Sequence, residues 1–169
     1  MKQRYSILFF VAFLMTTVGF AQTANTHSDD LHWYTDIVQA QQVSDSTDRP
    51  IFAFFTGSDW CGWCHKLQRD VFQKSEFAEW ANSNVILVEL DFPRRKQLPP
   101  ALARQNSELQ QVFRVTSFPT IWLFHLEKDA EARKMTINAL GSLGYPRATE
   151  DKAADTFIDN ANSIMARGK

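Results

Sequence analysis

A chain of 169 residues, 44% hydrophobic with 14 Phe and 5 Trp, is long enough for one well-packed core and too short for two comfortable domains. Its 18 basic and 19 acidic residues leave a formal charge of −1, which argues against a nucleic-acid binder or a strongly basic membrane-surface protein. Only two residues are cysteine.

At the N-terminus, Lys2 and Arg4 precede an apolar run from Ile7 to Phe20 that ends in Gly19, Phe20 and Ala21. This is the pattern of a secretory signal peptide cleaved after Ala21, and the run falls short of the ~20 residues that span a bilayer as an uncleaved anchor. The expected organisation is a signal peptide over 1–21, a flexible polar segment over 22–30 and one domain over 31–169. The mature protein is expected in the periplasm or secreted, without a membrane span.

Within the domain, Trp33, Ile37 and Ala40, flanked by Tyr34 and Val38, repeat at helical spacing, and Ser44 to Pro50 breaks the pattern. Ile51 to Phe55 is an apolar run bounded by Pro50 and Gly57, as expected of a strand buried on both faces. Cys64, Leu67 and Val71 then form a helical stripe, and Ser75 is placed to cap a further helix carrying Phe77, Trp80 and Ala81. Val85 to Leu90 reads as a second buried strand. The segment from Asp91 to Pro100 is a loop whose basic triplet, Arg94, Arg95 and Lys96, reads as solvated, and Ala101 to Phe113 as a helix. Thr120 to Leu126 and Met135 to Leu140 are close enough in sequence to pair antiparallel. In the last helix Ala154, Phe157, Ile158, Ala161, Ile164 and Met165 share a face, with Asp151 near its positive end. This order gives an α/β fold with helices on both faces of a central mixed sheet.

The two cysteines stand in Cys61-Gly62-Trp63-Cys64, where a buried strand turns into a helix. The first cysteine then lies at a helix N-terminus, where free N–H groups and the dipole favour a thiolate and lower a thiol pKa from ~8.5 to about 3.5–7.5. Cys61 is the expected nucleophile, and Cys64, one turn later and more buried, the resolving thiol. A structural staple is a weak alternative, because so short a loop is worth about 2 kcal/mol against roughly 4.7 for a hundred-residue loop. Zinc wants four ligands, and His27, His32, His65 and His125 are scattered. Cys61 to His65 also spells the C-x-x-C-H attachment site of c-type haem, with His65 as axial ligand. Against it stand the apolar strand before the motif and a remainder that reads as a complete α/β domain. No cofactor or metal is expected.

Trp60, Cys61, Gly62, Trp63, Cys64, the later Phe118, Pro119 and Thr120, and the element order together resemble a thioredoxin-fold protein over about Leu31 to Arg167. Thr56 to Trp60, Lys66, Leu67 and Asp91 to Pro93 are more similar to exported bacterial members than to cytosolic thioredoxin. The resemblance implies a thioredoxin-like three-layer sandwich and a thiol–disulfide oxidoreductase acting on protein thiols and disulfides, with a membrane or periplasmic redox partner and no nucleic acid. It implies a cis Pro119 beside the cysteines and a substrate strand against Phe118. Trp60, Gly62 and Trp63 would border the groove, with Gly144 on its far side. Both directions stay open, reduction of substrate disulfides and the reverse oxidation of substrate thiols, with the family resemblance favouring reduction; the rival from another class is a non-enzymatic peptide-binding or chaperone module on the same fold.

Three departures stand out. The family's buried acid is replaced by Phe55, with Asp59 or Glu89 as substitutes. Trp63 replaces the usual proline, and Asp91 to Pro119 is longer than in a minimal thioredoxin.

Overall fold

The computed structural model describes residues 31–129 and 134–168; the expected signal peptide and polar entry segment lie outside them. The chain runs β1 (Trp33–Tyr34), α1 (Ile37–Thr47), β2 (Ile51–Thr56), α2 (Gly62–Leu67), α3 (Ser75–Asn84), β3 (Ile86–Asp91), α4 (Pro100–Val112), β4 (Thr120–Asp129), β5 (Lys134–Leu143) and α5 (Ala153–Arg167). One turn of π-helix, Gln68–Phe72, continues α2, and a 3-10 turn, Glu150–Lys152, leads into α5.

Five strands form one mixed sheet in the order β1-β3-β2-β4-β5. Strands β1, β3 and β2 are parallel, while β4 is antiparallel to β2 and β5 to β4. Every residue of β2 is buried, as its unbroken apolar run requires of a central strand. Side chains alternate across the sheet. Phe52 and Phe54 face a core closed by α3, α5 and the π turn, together with both cysteines; Ile51, Ala53 and Phe55 face a second core under α1 and α4. The α5 stripe buries Ala154, Phe157, Ala161 and Ile164 as its spacing requires, with Ile158 and Met165 at the margin.

Two local expectations need correction. Trp33 and Tyr34 are not in the first helix; they pair with Leu87 and Val88 as an edge strand. The helix starts at Ile37 because the Asp36 side chain accepts from the N–H groups of Val38 (2.7 Å) and Gln39 (3.4 Å), satisfying donors that a new helix leaves free. Ser75 does not cap α3 either. It is the first helical residue, its hydroxyl bonds Glu76, and the cap position falls on Lys74 without a side-chain bond.

Candidate active site

Strand β2 delivers the chain to Gly57, where a tight turn places the cysteines. The N–H groups of Trp60 (3.2 Å) and Cys61 (2.9 Å) both bond the Gly57 carbonyl. Gly57 has no substitute here, because a Cβ would overlap the indole of Trp60. Cys61 is the N-cap of α2, and its sulfur accepts from the backbone N–H of Cys64 at 3.2 Å. Sγ of Cys61 thus sits in the positive end of the helix, where negative charge is stabilised. The two cysteines are joined in a disulfide, with Cys61 5% exposed and Cys64 fully buried.

The turn is held from outside by the segment after β3. Asp91 is buried, and its carboxylate accepts from the Ser58 N–H (2.8 Å) and hydroxyl (2.6 Å) and pairs with Lys96 (3.1 Å). Three donors compensate a charge that would otherwise be costly to bury. Trp60 donates Nε1–H to the Phe92 carbonyl at 2.8 Å, and Asp59 accepts from the N–H groups of Arg94 (3.0 Å) and Arg95 (2.7 Å). His65 bonds the Ser58 carbonyl through Nε2 at 2.8 Å, a bond that an axial haem ligand would have to give up.

The remaining candidate residues gather around this turn. The Phe118–Pro119 peptide is cis, and the Phe118 ring lies 5.8 Å from that of Trp60. Gly144 lies against the Pro119 carbonyl. Trp63 is 60% exposed and meets the ring of Tyr145 edge-on at 5.3 Å. Gly62 is exposed with open space where a side chain would be. Trp60 with Phe118, Pro119 with Gly144, and Trp63 with Tyr145 are thus the neighbouring pairs that the structure brings together here.

Phe55 stacks at 6.3 Å on Phe92, which stacks at 5.2 Å on Phe118. Aromatic packing fills the place of the family's buried acid. Neither expected substitute takes over that position. Hydrogen bonds from the Arg94 and Arg95 backbone hold the Asp59 carboxyl below its usual range. Glu89 is pushed up by burial and by Asp91, and it lines a cavity of about 500 Å³ walled by Trp33, Phe54 and Phe72 rather than by the cysteines.

Sequence reasoning missed a buried network behind Trp63. Asp70, on the π turn, is 1% exposed and receives Lys66 Nζ (2.6 Å) and the Tyr145 hydroxyl (2.7 Å) on one oxygen. Lys66 also lies 5.3 Å from the Tyr145 ring centroid. The spacing of Lys66 and Asp70, one helical turn apart, was the available signal, but it is common on solvated helices. Burial by Tyr145, 75 residues away, makes it a network.

Lys66, and after it Tyr145, hold the Asp70 carboxyl below its ordinary value of 3.8 despite the opposing effect of burial. A depressed folded pKa contributes stability that is fully present above 3.8 and lost as pH falls through the folded value. Asp70→Asn is therefore expected to unfold at lower urea concentration than the wild type at pH 7, with the gap narrowing as pH falls below 3.8. Urea midpoints measured across that range check this, and a gap independent of pH would refute it.

The parallel β1-β3-β2 sheet, the strand-to-helix cysteine pair and the cis proline define a thioredoxin-fold protein. The chain belongs to the thioredoxin-like family, whose domain model matches residues 37–135. It is 36% identical over 114 residues to the disulfide bond reductase DsbH of Chlamydia pneumoniae, covering 68% of this chain and 66% of that protein. To the thioredoxin-related protein DsbJ of the same organism it is 29% identical over 144 residues, covering 85% of this chain and 39% of that protein. The chain thus spans just under two thirds of the one relative and about two fifths of the other. A solved DsbH oxidoreductase structure matches with a TM-score of 0.70 at 28% identity, over 89% of this chain and 95% of the other. A thioredoxin from Thermus thermophilus, at 0.53 and 16% over 82% and 89% of the two chains, shares the fold.

Proposed function

We propose that this protein is a thiol–disulfide oxidoreductase that reduces disulfides of other proteins outside the cytoplasm. The observation that carries the reading is the Cys61 sulfur at the helix N-cap, accepting the Cys64 N–H and bonded to a fully buried Cys64. In the reduced state the Cys61 thiolate attacks one sulfur of a substrate disulfide. That S–S bond breaks, a mixed disulfide forms, and the first substrate thiolate leaves to take up a proton. Cys64, deprotonated, then attacks Cys61 Sγ, releasing the second substrate thiol and leaving the Cys61–Cys64 disulfide. Two electrons have passed to the substrate, and a separate donor must return them.

Phe118 and Pro119 would hold the substrate strand, with Trp60, Gly62, Trp63 and Gly144 around it. The direction follows the relative named a disulfide bond reductase. Export is supported by Lys2, Arg4 and the apolar run to Phe20; among the described residues, no helix is long and apolar enough to cross a membrane.

The test is equilibration of the Cys61–Cys64 pair with glutathione buffers. A reductase should lie near thioredoxin, at about −270 mV, whereas a value near −120 mV would make the protein an oxidant and overturn the direction. For localisation, the exported fraction should contain a chain starting at Gln22; an intact Met1 chain confined to the cytoplasm would refute export.

A further inference from the structure

The exchange chemistry leaves the basic triplet of the loop after β3 without a role. Lys96 is spent on Asp91, at 3.1 Å. Arg94 is placed differently. Its guanidinium lies over the Trp60 ring, 3.7 Å from the ring centroid, and Trp60 directly precedes the nucleophilic cysteine. Asp59, the nearby carboxylate, is engaged by the backbone N–H groups of Arg94 and Arg95 rather than by the Arg94 side chain. Among the described residues, the Arg94 guanidinium forms no ion pair. By contrast, the cation Lys66 is paired with Asp70 and Glu150.

The Trp60 side therefore presents a guanidinium that is not tied in an ion pair among the described residues, with the Asp59 carboxylate nearby but held by backbone N–H groups. A guanidinium stacked by its face on an indole keeps its edge N–H groups free for a carboxylate. Its rotamers are already restricted, so less entropy is lost when a partner binds. Trp60 is in turn fixed by its bond to the Phe92 carbonyl at 2.8 Å and by contact with Phe118. The arginine is thus carried on a rigid support beside the cysteines.

We propose that Arg94 is a specificity-determining residue that selects disulfides flanked by acidic side chains, pairing its guanidinium edge with a substrate carboxylate. The proposal rests on the exchange reading above and adds the substrate class. The site is exposed, so the selection is a rim effect. It should amount to a roughly three- to tenfold rate difference at low ionic strength and decline as salt is added.

Three peptide disulfides of one sequence, flanked by Glu, Gln or Lys, test it through their rates of oxidising the reduced protein. The wild type should take the Glu peptide fastest and the Lys peptide slowest, with the spread collapsing in high salt. Arg94→Gln should bring the Glu-to-Gln ratio close to one, and Arg94→Glu should invert the order. Ratios taken within one variant cancel any general loss of activity or stability. Equal rates in the wild type, or an unchanged order in Arg94→Glu, would overturn the proposal while leaving exchange intact. Failure of the wild type to react with any of the three would sink the exchange reading and the selectivity with it.

Discussion

Cys61→Ser should lower turnover of protein disulfides by about 10³-fold or more, whereas Cys64→Ser should stop the reaction after its first step and accumulate a mixed disulfide on Cys61. The asymmetry follows from position. Cys61, at the N-cap, is the more exposed of the two at 5%, the Cys64 N–H meets its sulfur at 3.2 Å, and a serine hydroxyl there has far too high a pKa to form the nucleophile that a thiol forms. Cys64 is fully buried, so no substrate can reach it directly and its access is to Cys61 alone. Initial rates in a reductant-coupled assay, with mass analysis of trapped species, check both halves. Turnover in Cys61→Ser, or mixed disulfides found on Cys64, would refute the assignment of roles.

Phe52→Ala should cost about 3–5 kcal/mol of folding stability, a large share of the 5–15 kcal/mol typical of a domain. Phe52 is fully buried in the central strand. Its ring lies within about 6 Å of those of Trp33, Phe72, Phe77 and Phe157, and 6.4 Å from that of Trp80. Those rings come from β1, the π turn, α3 and α5, so the cavity left by alanine would loosen four elements at once. The π turn continues the helix that carries Cys64, which ties the stability of this core to the redox site. Val38→Ala, at a 56% exposed position on α1, should by comparison change stability by no more than about 0.5 kcal/mol. Denaturant titration separates the two cases; a Phe52→Ala cost under about 1 kcal/mol would show that the core collapses around the gap.

What could be read along the chain was whatever depends on near neighbours. The apolar run of β2, the stripe of α5, the turn at Gly57 and the cysteine pair at a helix start are patterns complete within about fifteen residues. The fold class and both cysteines were accordingly legible, and the resemblance supplied the cis Pro119. Boundaries failed where a neighbour in space outweighed spacing: Trp33 and Tyr34 fit a helical repeat, yet Leu87 and Val88 draw them into the sheet.

The sequence by itself determined that a strand would carry Cys61 to a helix N-terminus with Cys64 one turn behind, because backbone hydrogen bonding and side-chain periodicity are local. Only the tertiary structure decided what surrounds that pair. Asp91 reaches Ser58 across 33 residues, Tyr145 reaches Asp70 across 75, and Arg94 settles on Trp60. Such contacts depend on which surfaces the sheet order brings together, and no local pattern encodes that order.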